Sequence, residues 1–207
     1  IPAVAWYKLD GNALDSSGNG YDGTWSGTAA YAAGKFAGTQ AASFGGSSNI
    51  GATNLAANAS STVAMWIKSN RFLSTSTAFF LDICSNQMRL MVASSTVANR
   101  LVVGASNSHV SFADGVSIQD EFTHVSYVVS GGIVTHIYVN GLSIEISGSA
   151  NPADASDGTK IGRSNLGTAY YATGLIDDVR IFDRALSHAN IQRIMQGQDV
   201  APIEELQ

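Results

Sequence analysis

The run Ile133-Val134-Thr135-His136-Ile137-Tyr138-Val139-Asn140-Gly141-Leu142-Ser143-Ile144-Glu145-Ile146 decides the fold. Two alternating apolar segments flank Asn-Gly, the pair that most readily takes the two positive φ angles of a type I′ turn, so the segments read as a tight antiparallel hairpin. Ser130-Gly131-Gly132, just upstream, marks a second turn, and residues 122–146 become a three-stranded meander. Strict alternation would put Ile133, Thr135, Ile137 and Val139 on one face and Val134, His136 and Tyr138 on the other.

Working outward, strand patterns recur at residues 4–9, 42–44, 62–67, 78–83, 88–92, 100–103, 160–162 and 175–182, separated by short Gly, Asn, Asp and Ser segments. That spacing predicts an all-β, two-sheet antiparallel sandwich. One helix is expected near 187–196: Ser187 can cap it, Ile191, Ile194 and Met195 recur at helical spacing, and Gly197 ends it. A single domain over 1–197 is expected, with 198–207, containing Pro202 and Glu204-Glu205, as a linker or frayed tail.

Composition narrows the function. Of 207 residues 45% are hydrophobic, enough for a core, and 13% are charged with a net charge of -5, so no basic field exists to hold nucleic acid or an anionic membrane. No apolar run reaches the roughly 20 residues that span a bilayer, and membrane insertion by a helix is not expected. The lone cysteine, Cys84, rules out an internal disulfide and reads as an inert thiol. The chain opens at Ile1 without a leader pattern, as a piece of a larger polypeptide would.

Acidic residues are uneven: twelve Asp against four Glu. Asp10, Asn12, Asp15, Asn19 and Asp22 gather in thirteen residues among Gly11, Gly18, Gly20 and Gly23. Such hard oxygens on a permissive backbone suit Ca2+, and they suit Asx-turns without metal equally well. In the strand at 175–182, alternation places Asp177 with Val179 and Ile181, where a carboxylate needs a cation or several donors, and places Asp178 where it can pair with Arg180 or Arg184.

Catalysis finds little support. None of His109, His124, His136 and His188 is spaced as a zinc pair, and no two carboxylates sit at i and i+2 on one strand, as glycosidic cleavage in such a sandwich would require. No catalytic residue is assigned. Sugar binding needs exposed aromatic surface with planar polar groups beside it. Trp25 with Tyr31, and Arg163, Asn165, Tyr170 and Tyr171, are the candidates, while Trp6 and Trp66 read as core.

Several motifs in order resemble one family. Trp6-Tyr7-Lys8-Leu9-Asp10 with residues 14–24, then Val63-Ala64-Met65-Trp66-Ile67-Lys68, Phe122-Thr123-His124-Val125-Ser126-Tyr127 and Ile161-Gly162-Arg163 fit it. The close from Gly174-Leu175-Ile176-Asp177-Asp178-Val179-Arg180 through Ser187 fits it almost residue for residue. These segments resemble LamG-like domains of the concanavalin A-like lectin/glucanase superfamily; residues 70–118 carry no such motif. The resemblance implies a concanavalin A-like jelly roll, a Ca2+ ion joining the first and last segments through Asp15, Asn19, the Tyr21 carbonyl and Asp177, and a carbohydrate or protein ligand. It also implies an extracellular, cell-surface or virion setting within a multidomain chain. Two functions follow as expectations: a non-catalytic glycan-binding or adhesion module, or a structural protein-interaction sandwich without a sugar site. A polysaccharide-degrading domain trails both.

Overall fold

The computed structural model describes residues 2–53, 55, 59–69, 78–83, 88–92, 101–103, 111–113, 118, 121–144, 146, 158–165 and 170–200. Cys84, residues 201–207 and most of 70–118 lie outside that set.

Two antiparallel sheets face each other. The larger runs β13 (Leu142–Ile144), β12 (Ile133–Val139), β11 (Thr123–Ser130), β6 (Ser61–Lys68), β15 (Thr173–Phe182), β4 (Gln40–Gly45), β3 (Tyr31–Ala33), and β1 (Ala5–Tyr7) also pairs with β15. The smaller runs β10 (Ser111–Ala113), β9 (Leu101–Val103), β8 (Met88–Val92), β7 (Ala78–Ile83), β14 (Thr159–Ile161), β5 (Asn49–Ala52), β2 (Thr24–Ser26). The all-β sandwich expected from the strand spacing is the fold observed.

Alternation on β6, β11 and β15 sends Val63, Met65, Ile67, Val125, Tyr127, Val129, Val179 and Ile181 inward. There they meet Ile50, Leu81, Ile83, Leu101, Val103 and Ile161 of the other sheet. Each such side chain taken out of water contributes roughly 1.5–3 kcal/mol before the entropy of ordering is set against it. A second, smaller cluster covers the outward face of the larger sheet, where α1 (His188–Met195) lays Ile191 and Ile194, with Leu186 and Val200, over Ala64, Val128, Tyr138 and Phe182. Ser187 caps α1 by accepting from the Asn190 N–H, and Gly197 ends it at φ 75°. Packing thus continues past residue 197, since Val200 is buried.

Two bulges overturn simple alternation. On β12 the register slips opposite Val128 and Val129, so that Val134 joins Ile137 on the core side while Ile133 and Thr135 are exposed. On β15 the register with β6 slips between Asp177 and Arg180, with Asp178 at φ 48°. The cause lies on the strand's other side: residues Thr173 to Ile176 pair with β4, whereas Val179, Arg180 and Ile181 pair with β1. Asp177 and Asp178 occupy the changeover.

Candidate functional site

The strongest gathering of expected binding residues surrounds the end of β14. Gly162 follows that strand at φ 84°, with Phe44 packed where a side chain would project, so only glycine can make the turn. Arg163 then bridges to Tyr171 across an isolated antiparallel pair, with its guanidinium 5.5 Å from the Tyr171 ring centre, its Nε donating to the Ser164 carbonyl and its Nη1 to the Tyr171 hydroxyl. Beneath them sits Asp82 of β7, fully buried. Its Oδ2 accepts from Ser164 Oγ at 3.1 Å and Asn165 N at 2.7 Å, while Asn165 Nδ2 donates to the Gly158 carbonyl. Buried charge-assisted bonds of this kind fix a loop firmly. Tyr170 is left 42% exposed, its ring tilted against Phe79. Arg163, Asn165, Tyr170 and Tyr171 therefore come together as one rim beside the smaller sheet.

Asp82 was not singled out from sequence, although an acidic residue inside the apolar run Ala78-Phe79-Phe80-Leu81-Asp82-Ile83 was a signal that its carboxylate had work to do. Trp25 does not belong to the rim. Its Nε1 donates to the Tyr31 hydroxyl at 2.7 Å, its ring lies 5.2 Å from Phe44, and it packs against the main core. Register explains this: Trp25 pairs with Ile50, and Ile50 with Ile161, all on the inward side of the smaller sheet.

The acidic loop folds as an Asx-turn network. Asp15 accepts from the Trp6, Ser17 and Tyr21 N–H groups and from Ser17 Oγ. Burial pushes its carboxyl up, but these donors outweigh that and hold it below its ordinary value. Asn19 turns its Nδ2 toward the Val4 carbonyl, and the Tyr21 carbonyl accepts from the Tyr7 hydroxyl. Asp177 is elsewhere: its Oδ2 accepts from Lys35 N at 2.7 Å. Asp15, Asn19, Tyr21 and Asp177 thus do not fit Ca2+ as one ligand set. Both Asp15 oxygens, the Tyr21 carbonyl and Asp177 Oδ2 already accept hydrogen bonds from the chain, and no group of three or more acidic, His or Cys side chains among the described residues is arranged to hold a metal ion.

At the β15 changeover the sequence expectation for Asp178 holds. Its Oδ1 pairs with Arg180 Nε at 3.0 Å and accepts from Trp6 Nε1, and the guanidinium lies 4.2 Å over the Trp6 ring. Arg184 pairs with Asp183 instead. Burial pushes the Asp177 carboxyl up to about 6; the Lys35 N–H opposes this, and the charges of Asp178 and Asp10 add to it. A cavity of about 230 Å³ lies here, walled by Trp6, Lys8, Asp10, Phe36, Thr39, Asp177, Asp178, Arg180 and Gly197.

Two packed antiparallel sheets with a short helix on one outer face define a lectin-type jelly roll. A laminin G family model, described as the concanavalin A-like lectin/glucanases superfamily, matches residues 42–192, and the chain belongs to this family. Among solved structures it is similar to domain 4 of AbnA, a GH43 extracellular arabinanase from Geobacillus stearothermophilus, in complex with arabinotriose. The TM-score is 0.71 at 25% identity, over 94% of this chain and 98% of that one. It is also similar to the binding domain of Paraclostridial Mosquitocidal Protein 1 (TM-score 0.72, 12% identity, 95% of this chain and 52% of that one). A third is a botulinum neurotoxin type C structure, from a toxin whose cell entry depends on two ganglioside molecules (TM-score 0.70, 15% identity, 94% and 51%). The chain spans about half of each toxin chain, and at those identities the likeness is one of fold. A search of curated proteins finds no match.

Proposed function

We propose that the chain is a non-catalytic carbohydrate-binding module, working outside the cell as part of a longer protein, and that the rim of Arg163, Asn165, Tyr170 and Tyr171 holds the sugar. The observation that carries this is the exposed Tyr170, next in sequence to the Tyr171 ring that the Arg163 guanidinium faces, beside a loop pinned by the buried Asp82. An aromatic face covers the apolar face of a pyranose or furanose, and a planar donor beside it reaches paired hydroxyls. Similarity to a domain in complex with arabinotriose supports the class of ligand and suggests the first probe.

Titration with arabinotriose, alongside a glycan array, tests the reading. Tyr170→Ala is expected to weaken any binding about tenfold or more, as loss of an aromatic contact worth roughly 1.5 kcal/mol would. Absence of glycan binding, or binding indifferent to Tyr170→Ala and Arg163→Ala, would favour a protein-interaction sandwich.

A further inference from the structure

The cavity at the β15 changeover lies on the other outward side of the sandwich from the rim. Arg180 and Trp6 are register partners, and Arg180 neighbours Ala64, which lies under α1; Asp82 and Lys160 of the smaller sheet alternate with inward Leu81 and Ile161. Four observations single the cavity out. The central strand bulges there because it exchanges β4 for β1. Of the three non-glycine residues with positive φ among those described, Asp178 at 48° lines it and Leu9 at 61° stands between the lining residues Lys8 and Asp10, and such strain is retained where surrounding structure enforces it, often at sites. Asp178 is 7% exposed, yet its Oδ2 has no hydrogen-bond partner. Finally, Lys8 Nζ already lies 4.5 Å over the Trp6 ring, showing that the chain's own ammonium group finds this wall favourable.

The charges around the cavity are unbalanced. Arg180 is committed to Asp178 and to the Gln198 carbonyl, and Lys35 Nζ sits 4.3 Å over Trp66 rather than on a carboxylate. Asp10, whose Oδ1 takes the Gln40 N–H, and Asp177, whose Oδ2 takes the Lys35 N–H, are left with Lys8 as the mobile cation. Carboxylates beside the aromatic rings of Trp6 and Phe36 form recognition chemistry for an ammonium group. A volume of about 230 Å³ lies below the roughly 300–1,000 Å³ of drug-sized sites, so it takes one small unit.

We propose that this cavity is a second ligand site, taking the ammonium group of an amino-sugar unit, with Asp177 and Asp10 accepting its N–H hydrogen bonds and Trp6 beside it. Thr39 and Asp10 at the mouth suit ring hydroxyls better than the bare stem of a lysine side chain. The proposal rests on the carbohydrate-binding reading and gives the module two sites facing opposite ways.

Isothermal titration of the whole chain with a tetramer of β-1,4-linked glucosamine and with its fully N-acetylated counterpart tests it. The free-amine oligomer is expected to bind at least about tenfold tighter and to weaken with added salt. Asp177→Asn, which keeps an acceptor for Lys35 N, should weaken it by about fivefold or more with the fold intact by circular dichroism. Lys8→Ala, which clears the Trp6 ring, should tighten it. Equal affinity for the two oligomers, indifference to Asp177→Asn, or tighter binding of tetralysine would overturn the proposal. Arabinotriose binding by the unaltered chain reports on the rim separately, so its presence without glucosamine binding overturns this inference alone.

Discussion

Asp177 shows how far one residue can be read and where reading stops. That it is largely dehydrated is legible from the apolar strand around it, and it is 2% exposed, but it faces outward beside Trp66 and not with Val179 and Ile181 as strict alternation would put it. Its partner is not legible, because the bulge that turns it toward Lys35 arises from a change of neighbouring strand. Its folded-state carboxyl lies at about 6, above the ordinary 3.8, so the fold is penalised as pH rises through that window and relieved as pH falls below it. Asp177→Asn, keeping the acceptor, is expected to raise stability at pH 7.5 by on the order of 2–3 kcal/mol and by nothing measurable at pH 3.5. Chemical denaturation at the two pH values checks this, and a destabilised variant at pH 7.5 would refute it. Asp15 gives the complementary case. Its position in a turn was legible, whereas the choice between Asx-turn and cation depended on the Trp6, Ser17 and Tyr21 donors, which sequence does not place. Excess EDTA is accordingly expected to leave the melting temperature within about 1 °C, whereas a saturated ion binding only the folded form would have contributed some 2.7 kcal/mol at a hundred times its Kd. A chelator-induced drop of several degrees would restore calcium.

At the scale of elements, legibility follows local coding. The Asn140-Gly141 hairpin and α1 have turn and cap residues that act within a few positions, and both are observed where the sequence puts them. The short strands β2, β3, β5 and β10 went unread because each has only three or four residues, too few to show an alternation. The Val128/Val129 slip is equally invisible, since β12 carries apolar residues on both of its alternating faces. Hairpin and helix also support each other. Gly141, at φ 76°, lies with Met195 Cε 3.2 Å from where its Cβ would be, and its carbonyl meets His188 Nε2 at 2.7 Å. Gly141→Ala thus combines a left-handed strain with a clash against α1. It is expected to cost about 1–3 kcal/mol, more than the roughly 1 kcal/mol expected of Ser187→Ala at the cap. Urea denaturation of the two variants measures the order, and an equal or smaller loss for Gly141→Ala would mean that α1 shifts freely.

Across the whole molecule, two buried groups give opposite acid responses. His124, on the outward face of β11 with its ring 5.0 Å from that of Trp66, has neither nitrogen hydrogen-bonded, and burial, with the Arg180 charge, pushes it down to about 3 from 6.5. Only the unfolded chain takes up this proton as pH falls below 6.5, so stability is complete above that value and is lost progressively down to 3, by on the order of 4–5 kcal/mol. Asp177 works the other way between 6 and 3.8, returning on the order of 3 kcal/mol as it protonates. These two contributions largely offset each other from pH 6 to 4, and the loss from His124 runs on alone below. Melting temperature is therefore expected to change little across pH 6 to 4. Asp177→Asn should fall steadily over that range, because only the histidine penalty remains. His124→Phe, which keeps an aromatic ring against Trp66, should instead rise as the medium is acidified. Thermal melts of the three proteins between pH 7.5 and 3.5 decide the matter: parallel curves would show that neither group carries the linkage assigned to it, while divergence in the stated directions would assign it to both.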